Sequence, residues 1–327
     1  MKKLLAVLMI AMVAIGFLTA GGATESTAKT TIDFPTKPVE LIVGFAAGGG
    51  THIAAELLSP EATEFLGKPL QITTKPGAGG AIGATYVADS KPDGYTLLYA
   101  TMSLPISLYM DSVDFKKDDF VGIACASNVA PVLAVRADAP YNNAAELIAW
   151  TKAHPGQFSW SHPGVGSTLH VLGADMMFRM GIIDTIKEVP FSGTGEGTAA
   201  VLGGHVNSVV GFPTSFMDQV AAGKMKILGV SSPQRIAEFP NVPTFLEQGY
   251  KAVLTSTRGV FAPADTPKEV LDILDKAFEK IINSESYKQR GTAIGEPPMY
   301  ANARDFNQMY QDQCNMIEEL LITLGLI

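Results

Sequence analysis

Short apolar runs alternate with stretches of helical period along most of the chain, the pattern of βα units. Val39 to Phe45 predicts a strand, followed by a Gly-rich turn and a helix through Ala54, Ala55, Leu57 and Leu58. Leu70 to Thr74 and Tyr95 to Thr101 predict two more strands, the second entered from the turn Pro92-Asp93-Gly94. Asn143 and Glu146 have capping-box spacing and open a helix that stops before His154-Pro155-Gly156. Ser167 to Met180 predicts a helix capped by Ser167, with Gly181 as its left-handed terminator. Val206 to Phe212 and Met225 to Val230 predict strands. Thr266-Pro267-Lys268-Glu269 predicts a second capping box, opening a helix with Val270, Ile273, Leu274, Ala277, Phe278 and Ile281 on one face. The alternation implies parallel sheets in two α/β domains. The first crossing between them is expected at Cys125 to Pro131 and the return at Tyr250 to Arg258. The expected division is 24–128 with 252–327 in one lobe and 129–251 in the other, the C-terminal helices packing on the first.

The beginning of the chain has a different pattern. Lys2 and Lys3 precede an apolar stretch from Leu4 to Leu18, and small residues follow at Ala20 to Ala23. This is the layout of a secretory signal peptide over 1–23, and the stretch falls short of the ~20 residues that a spanning helix needs. The expected location is therefore extracytoplasmic or periplasmic. Leu18-Thr19-Ala20-Gly21 has the form of a lipoprotein box with Gly21 in place of the lipidated cysteine, so a lipid anchor would require Cys at that position.

Composition narrows the function. The 327 residues carry 24 Lys and Arg against 32 Asp and Glu, a net charge of −8, which argues against a nucleic-acid partner. Hydrophobic residues at 47% can bury a large core, which excludes a disordered tail. Two cysteines, Cys125 and Cys314, are too few for a disulfide scaffold; they are read either as one bridge or as two buried thiols. None of the five histidines has His-x-x-x-His or His-Glu-x-x-His spacing, so no metal site and no cofactor are expected.

Three Gly-rich loops follow predicted strands. Phe45-Ala46-Ala47-Gly48-Gly49-Gly50-Thr51 lacks the lysine of a phosphate loop and reads as a plain turn or as a site for another anion. Gly77-Ala78-Gly79-Gly80-Ala81-Ile82-Gly83 approaches a dinucleotide fingerprint, but no acidic residue ends the next strand, so close helix–sheet packing is the expected role. Gly164-Val165-Gly166-Ser167 with His170 offers a helix cap, or a nucleophile and base of a secreted serine hydrolase.

Taken in order, several segments resemble the tripartite tricarboxylate transporter substrate-binding family, the Bug or TctC-type extracytoplasmic receptors. They include Gly48-Gly49-Gly50-Thr51, Lys75-Pro76-Gly77-Ala78-Gly79-Gly80, and Lys91-Pro92-Asp93-Gly94-Tyr95. Gly164-Val165-Gly166-Ser167, Pro190-Phe191-Ser192-Gly193, Leu202-Gly203-Gly204 and Ala262-Pro263-Ala264-Asp265-Thr266-Pro267 continue the series. The resemblance implies an α/β, two-lobed periplasmic-binding-protein fold of type II with a ligand cleft between the lobes. It implies a non-enzymatic monomer that captures a small carboxylate, a di- or tricarboxylate or related organic acid, and delivers it to membrane permease subunits. Carried over, the ligand residues would be Phe45, Ala47, Gly48, Gly49, Thr51, Thr101, Ser103, Gly166, Ser167, His170, Ser192, Gly193, Thr194, Pro213 and Thr214. The chain departs from the family pattern at Ala46-Ala47, where prolines are common, and at His52 and Asn207, where Asp is common. It departs again at Ser192, where Lys or Asp is frequent.

Overall fold

A computed structural model describes residues 32–110 and 113–327, so the leader expected over 1–23 lies outside the described residues. The chain begins with β1 (Val39–Val43), α1 (Gly50–Glu56), α2 (Ala62–Leu66), β2 (Leu70–Thr74), α3 (Ala81–Ala88), β3 (Thr96–Ala100) and α4 (Ser103–Met110). Next come β4 (Phe120–Val129), β5 (Val132–Arg136), α5 (Ala144–Ala153), β6 (Ser159–His162), α6 (Thr168–Arg179) and β7 (Lys187–Pro190). They are followed by α7 (Thr194–Leu202), β8 (Ser208–Gly211), α8 (Met217–Ala221) and β9 (Met225–Val230). The chain ends with β10 (Ser256–Pro263), α9 (Lys268–Asn283), α10 (Glu285–Ala293), β11 (Pro298–Ala301) and α11 (Ala303–Thr323). Phe34 to Ile327 form one compact unit.

Two sheets carry two lobes. The first sheet has the order β11-β4-β10-β3-β1-β2 and the second β7-β6-β8-β5-β9. Only part of each is parallel, which corrects the expectation of parallel sheets. β1 pairs in parallel with β2 and β3, and β6 with β7 and β8. β10 is antiparallel to β3 and β4, and β5 to β8 and β9. The crossings explain this: a strand leaving a lobe through the cleft and one returning through it must run in opposite senses. β4 and β10 are paired from Val129 opposite Ser256 to Phe120 opposite Pro263.

Local signals account for most helix ends. Asn143 Oδ1 accepts from the Glu146 N–H at 2.9 Å, and Ser167 Oγ accepts from the His170 N–H at 3.2 Å. Gly181, with φ +69°, follows α6 as its left-handed terminator. The capping box expected at Thr266 does not form. α9 begins at Lys268 with Pro267 at the cap position, so Thr266 lies one residue outside the helix, where its hydroxyl donates to Pro263 O at 2.7 Å. The helix still buries Val270, Leu274, Ala277, Phe278 and Ile281 along one face.

Cys125 and Cys314 are both free and buried, and both belong to one apolar cluster under the first sheet. Burial pushes their thiols up, Cys125 to about 12 and Cys314 to about 11. The reading as a bridge is therefore set aside. α11 reaches farther than expected. Phe306, Tyr310 and Cys314 pack in the first lobe, while Ile317, Leu320 and Leu321 join Met102 and Ile106 of the first lobe to Val171 and Leu172 of the second.

The second Gly-rich loop brings backbone onto backbone. A Cβ on Gly83 would lie 2.8 Å from Gly44 Cα and 3.3 Å from Lys75 O, so α3 rests directly on the end of β1. Gly83→Ala is expected to destabilise the protein by about 1–3 kcal/mol, because neither backbone segment can yield cheaply. Denaturant unfolding checks this; an unchanged midpoint would contradict it.

Candidate functional site

The loops that end β1, β3, β6, β7 and β8 open into a cavity of about 480 Å³. These are the C-terminal ends of parallel strands, where α/β sheets leave room for ligands. From the first lobe, Phe45, Gly48, Gly49, Thr51 and Thr101 line the cavity. From the second come Ser167, Ser192, Gly193, Thr194 and Thr214. Across the gap Thr101 Oγ1 lies 3.4 Å from Thr168 Oγ1. The lining thus unites most of the residues expected from sequence.

The remaining expected residues serve other purposes. Ser103 is buried and receives the Thr101 hydroxyl proton at 3.0 Å, while its own N–H donates back to Thr101 Oγ1 at 3.1 Å. Pro213 lines a separate cavity of about 320 Å³ beside the crossing segments, together with Asn128, Ser232, Gln234 and Glu238. Ala47 lines neither cavity. Gly166 donates its N–H to His170 Nδ1 at 3.2 Å. Ser192 reaches the main cavity, but its hydroxyl donates to Glu196 Oε1 at 2.7 Å.

Backbone and hydroxyl groups dominate what the lining can offer. α1 and α7 have Gly49 and Gly193 at their cap positions and no side-chain cap, so their first-turn N–H groups are uncommitted to side chains. In the first loop, Gly48 N–H contacts His52 Nδ1 at 3.4 Å and Gly49 N–H donates to Ala46 O at 3.1 Å. At α6 the Ser167 oxygen accepts from His170 N–H, which leaves the hydroxyl proton available. Thr51, Thr194, Thr214 and Ser215 make no side-chain hydrogen bond among the described residues. One charged side chain lines the cavity among the described residues, and it is a cation, Arg258. A net charge of −8 for the whole chain makes that selection pointed.

Sequence reasoning missed Arg258 as a site residue. It lies on β10, is 2% exposed, and its guanidinium sits 4.6 Å from the ring centre of Phe212 in the second lobe. Its Nη1 is bonded to Glu296, whose other oxygen accepts from the Ser127 hydroxyl at 3.1 Å. Burial raises the Glu296 carboxyl, opposed by Arg258 and Ser127. The only signal in sequence was a lone Arg beside Gly259 in an otherwise uncharged strand.

His170 does not face the cavity. Together with His162 it flanks Glu188, with Nε2 to Oε1 distances of 3.2 and 2.9 Å. Trp160, two residues before His162 on the same face of β6, stacks on His170 with planes 7° apart. His162 Nδ1 lies 3.0 Å from Gly164 O, so the cluster holds both ends of the loop that presents Ser167. The hydrolase arrangement is not made, because Ser167 Oγ caps the helix while the imidazole of His170 turns to Glu188.

Spacing along the chain did not reveal one grouping: the fold gathers ligand atoms of His162, His170 and Glu188 within 4.8 Å of one another. The hydrogen bonds favour a proton network over a ligand set. His170 Nδ1 accepts the Gly166 N–H, so the proton of the neutral ring is on Nε2, the atom that would have to ligate.

The fold and its cleft are those of the two-lobed periplasmic solute-binding proteins. The profile of the tripartite tricarboxylate transporter family receptors matches residues 54–326. The UPF0065 protein in the gbd 5′ region of Cupriavidus necator is 32% identical over 296 residues, covering 90% of this chain and 89% of that protein. A Rhodopseudomonas palustris protein solved with adipate superposes with a TM-score of 0.81 at 25% identity, covering 90% of this chain and 99% of the other. MatC from the same organism, solved with bound malate, gives 0.76 at 25% identity over 88% of this chain and all of the other (100%). The chain belongs to the tripartite tricarboxylate transporter receptor family, whose binding proteins are periplasmic.

The Glu188 network makes a pH prediction. The hydrogen bonds from His162 and then His170 hold the Glu188 carboxyl well below its usual range. A lowered carboxylate stabilises the fold fully above its unfolded value of about 4.3, and that contribution is lost as pH falls below it. Glu188→Gln is therefore expected to lower Tm at about pH 5, with the gap to the parent narrowing progressively as pH falls below about 4.3 towards 3. Thermal melts from pH 7 to 3 check this, and a gap that does not change with pH would contradict it.

Proposed function

We propose that the protein captures a small organic acid in the cleft between its lobes and delivers it to the membrane permease of a tripartite transporter. The lobes are taken as 24–128 with 252–327, and 129–251. The observation that carries the reading is the lining: exposed hydroxyls, uncapped helix N-termini, one arginine, and no acidic side chain among the described residues. Helix N-termini and oriented N–H groups supply partial positive charge without a formal cation. The second cavity is less suited to an anion, since Glu238 lines it. The bound malate and adipate of two structural relatives support a carboxylate as the class of ligand.

One carboxylate is proposed to sit at the N-terminus of α6, where the Ser167 hydroxyl donates to it. Phe45, Gly48, Gly49, Thr51 and Thr101 would close over it from the first lobe, and Gly193, Thr194 and Thr214 from the second.

A thermal-shift screen of aliphatic mono-, di- and tricarboxylates tests the function. An acid present at 100 times its Kd adds about 2.7 kcal/mol of stability and raises Tm. A panel that leaves Tm unchanged would overturn the reading. For an acid that binds, Ser167→Ala is expected to weaken affinity roughly 10- to 150-fold by calorimetry, the range of one charge-assisted hydrogen bond. Unchanged affinity would remove Ser167 from the site.

A further inference from the structure

We propose that His162 is a positioning residue held as a buried imidazolium, which clamps the loop that presents Ser167, so that the cleft grips an acid more tightly while that ring is protonated. The proposal rests on the carboxylate reading of the cleft. Both ring nitrogens of the buried His162 meet oxygens: Nδ1 lies 3.0 Å from Gly164 O and Nε2 lies 2.9 Å from Glu188 Oε1. A carbonyl oxygen accepts and does not donate, and the same holds for an ionised carboxylate. Glu188 is ionised, since the bonds from His162 and then His170 hold its carboxyl well below the usual range. Each nitrogen of His162 must then carry a proton, and a ring with two N–H groups is positively charged. His170 differs. Its Nδ1 accepts the Gly166 N–H at 3.2 Å, so its one proton sits on Nε2 and points to the same Glu188 oxygen, also at 3.2 Å. The cluster thus sets one cation against one carboxylate, with His170 neutral.

Only the charged form of His162 can make both bonds. When the ring loses a proton, it turns a lone pair towards either Gly164 O or Glu188 Oε1, and that bond is lost. Gly164 opens the turn that Ser167 closes, with the Ser167 N–H donating to Gly164 O at 3.2 Å. Gly164 and Gly166 stand at φ +101° and +77°; glycine is the residue freest to leave such a turn, so the anchors decide how firmly Ser167 is held. The same proton loss leaves Glu188 unbalanced beside His170 in the first turn of α6, where an acid's carboxylate is proposed to sit, and the two effects have the same sign. Among the described residues, the titratable groups that meet the His162 ring are Glu188 from β7 and His170 from α6. β8 sets the uncharged Ser208 and Val209 beside β6. Glu188 is exposed, which gives the buried proton a route to solvent.

Two measurements test this, both with a chelator present so that no metal ion holds the rings. Nitrogen NMR of the histidine rings reads the charge without a ligand. At about pH 6, His162 is expected to show two protonated nitrogens and His170 one; a neutral His162 ring would overturn the proposal. Calorimetry then follows the affinity for an acid that raises Tm, from about pH 6 to about pH 9, a range in which carboxylates stay ionised and histidines titrate. The proteins are the parent, His162→Asn, His162→Ala and His52→Asn. Parent affinity is expected to fall about 2- to 12-fold as pH rises, the worth of one neutral hydrogen bond. Asn keeps an N–H donor for Gly164 O and has no proton to lose, so His162→Asn is expected to give a flat profile and to bind more tightly than His162→Ala. A parent affinity that does not change with pH would overturn the clamp and leave the carboxylate reading standing. A fall that persists in His162→Asn would overturn it as well, and its disappearance in His52→Asn would assign it to the first loop, where His52 meets the Gly48 N–H. If no acid binds at any pH, the carboxylate reading falls and the proposal falls with it.

Discussion

The apolar seam along α11 is the constraint on which the cleft depends. This 21-residue helix packs Phe306 and Tyr310 into the first lobe, and Ile317, Leu320 and Leu321 into a cluster shared with α4 and α6. Leu324, just beyond its end, packs in the second lobe. Met102 and Ile106 follow directly from the β3 loop that supplies Thr101, and Val171 and Leu172 from the helix start that supplies Ser167. The residues that join the lobes are therefore neighbours in sequence of residues that line the cavity. Any relative motion of the lobes must keep this cluster buried or expose it to water.

The paired crossing strands set the other side of the cleft. β4 and β10 run antiparallel through the first sheet and set Ser127 beside Arg258, and Glu296, from the segment before β11, joins them in one buried network. Isolated burial of such a pair is expensive, and the hydroxyl of Ser127 together with the Phe212 face offsets part of that cost. The chemistry on the lobe edges then divides in two. Backbone N–H groups and hydroxyls are supplied by glycine loops at strand ends, and a fixed cation by a strand of the first sheet. A net-negative protein can hold an anion on these terms because the charge that matters is local and oriented.

Much of the fold was legible in the sequence because apolar runs, capping residues and glycines act locally. The caps at Asn143 and Ser167 and the terminator Gly181 are of that kind. So are the loops from Phe45 to Thr51 and from Ser192 to Thr194, whose glycines mark the strand ends that line the cavity. What the sequence could not show depends on register between distant strands. β7 is short and largely exposed, so Lys187-Glu188-Val189-Pro190 has no apolar run to announce it. Glu188 meets His162 only because Trp160 pairs with Glu188 and His162 with Pro190 across the two strands. Arg258 was hidden for a related reason, since its meaning depends on Phe212, 46 residues earlier, and on Glu296, 38 residues later. Thr266 shows the limit of local rules themselves, because the helix starts at Lys268 with Pro267 in the cap position, which leaves Thr266 one residue outside it.

The central claim is that one ligand engages both lobes at once. Hydrogen exchange read by mass spectrometry, with and without a saturating acid that raises Tm, tests it most directly. The account predicts that amides of residues 45–51 in the first lobe and of 166–170 and 192–196 in the second slow together, at the same ligand concentration. Protection confined to one lobe, or centred on residues 232–238 around the second cavity, would contradict it.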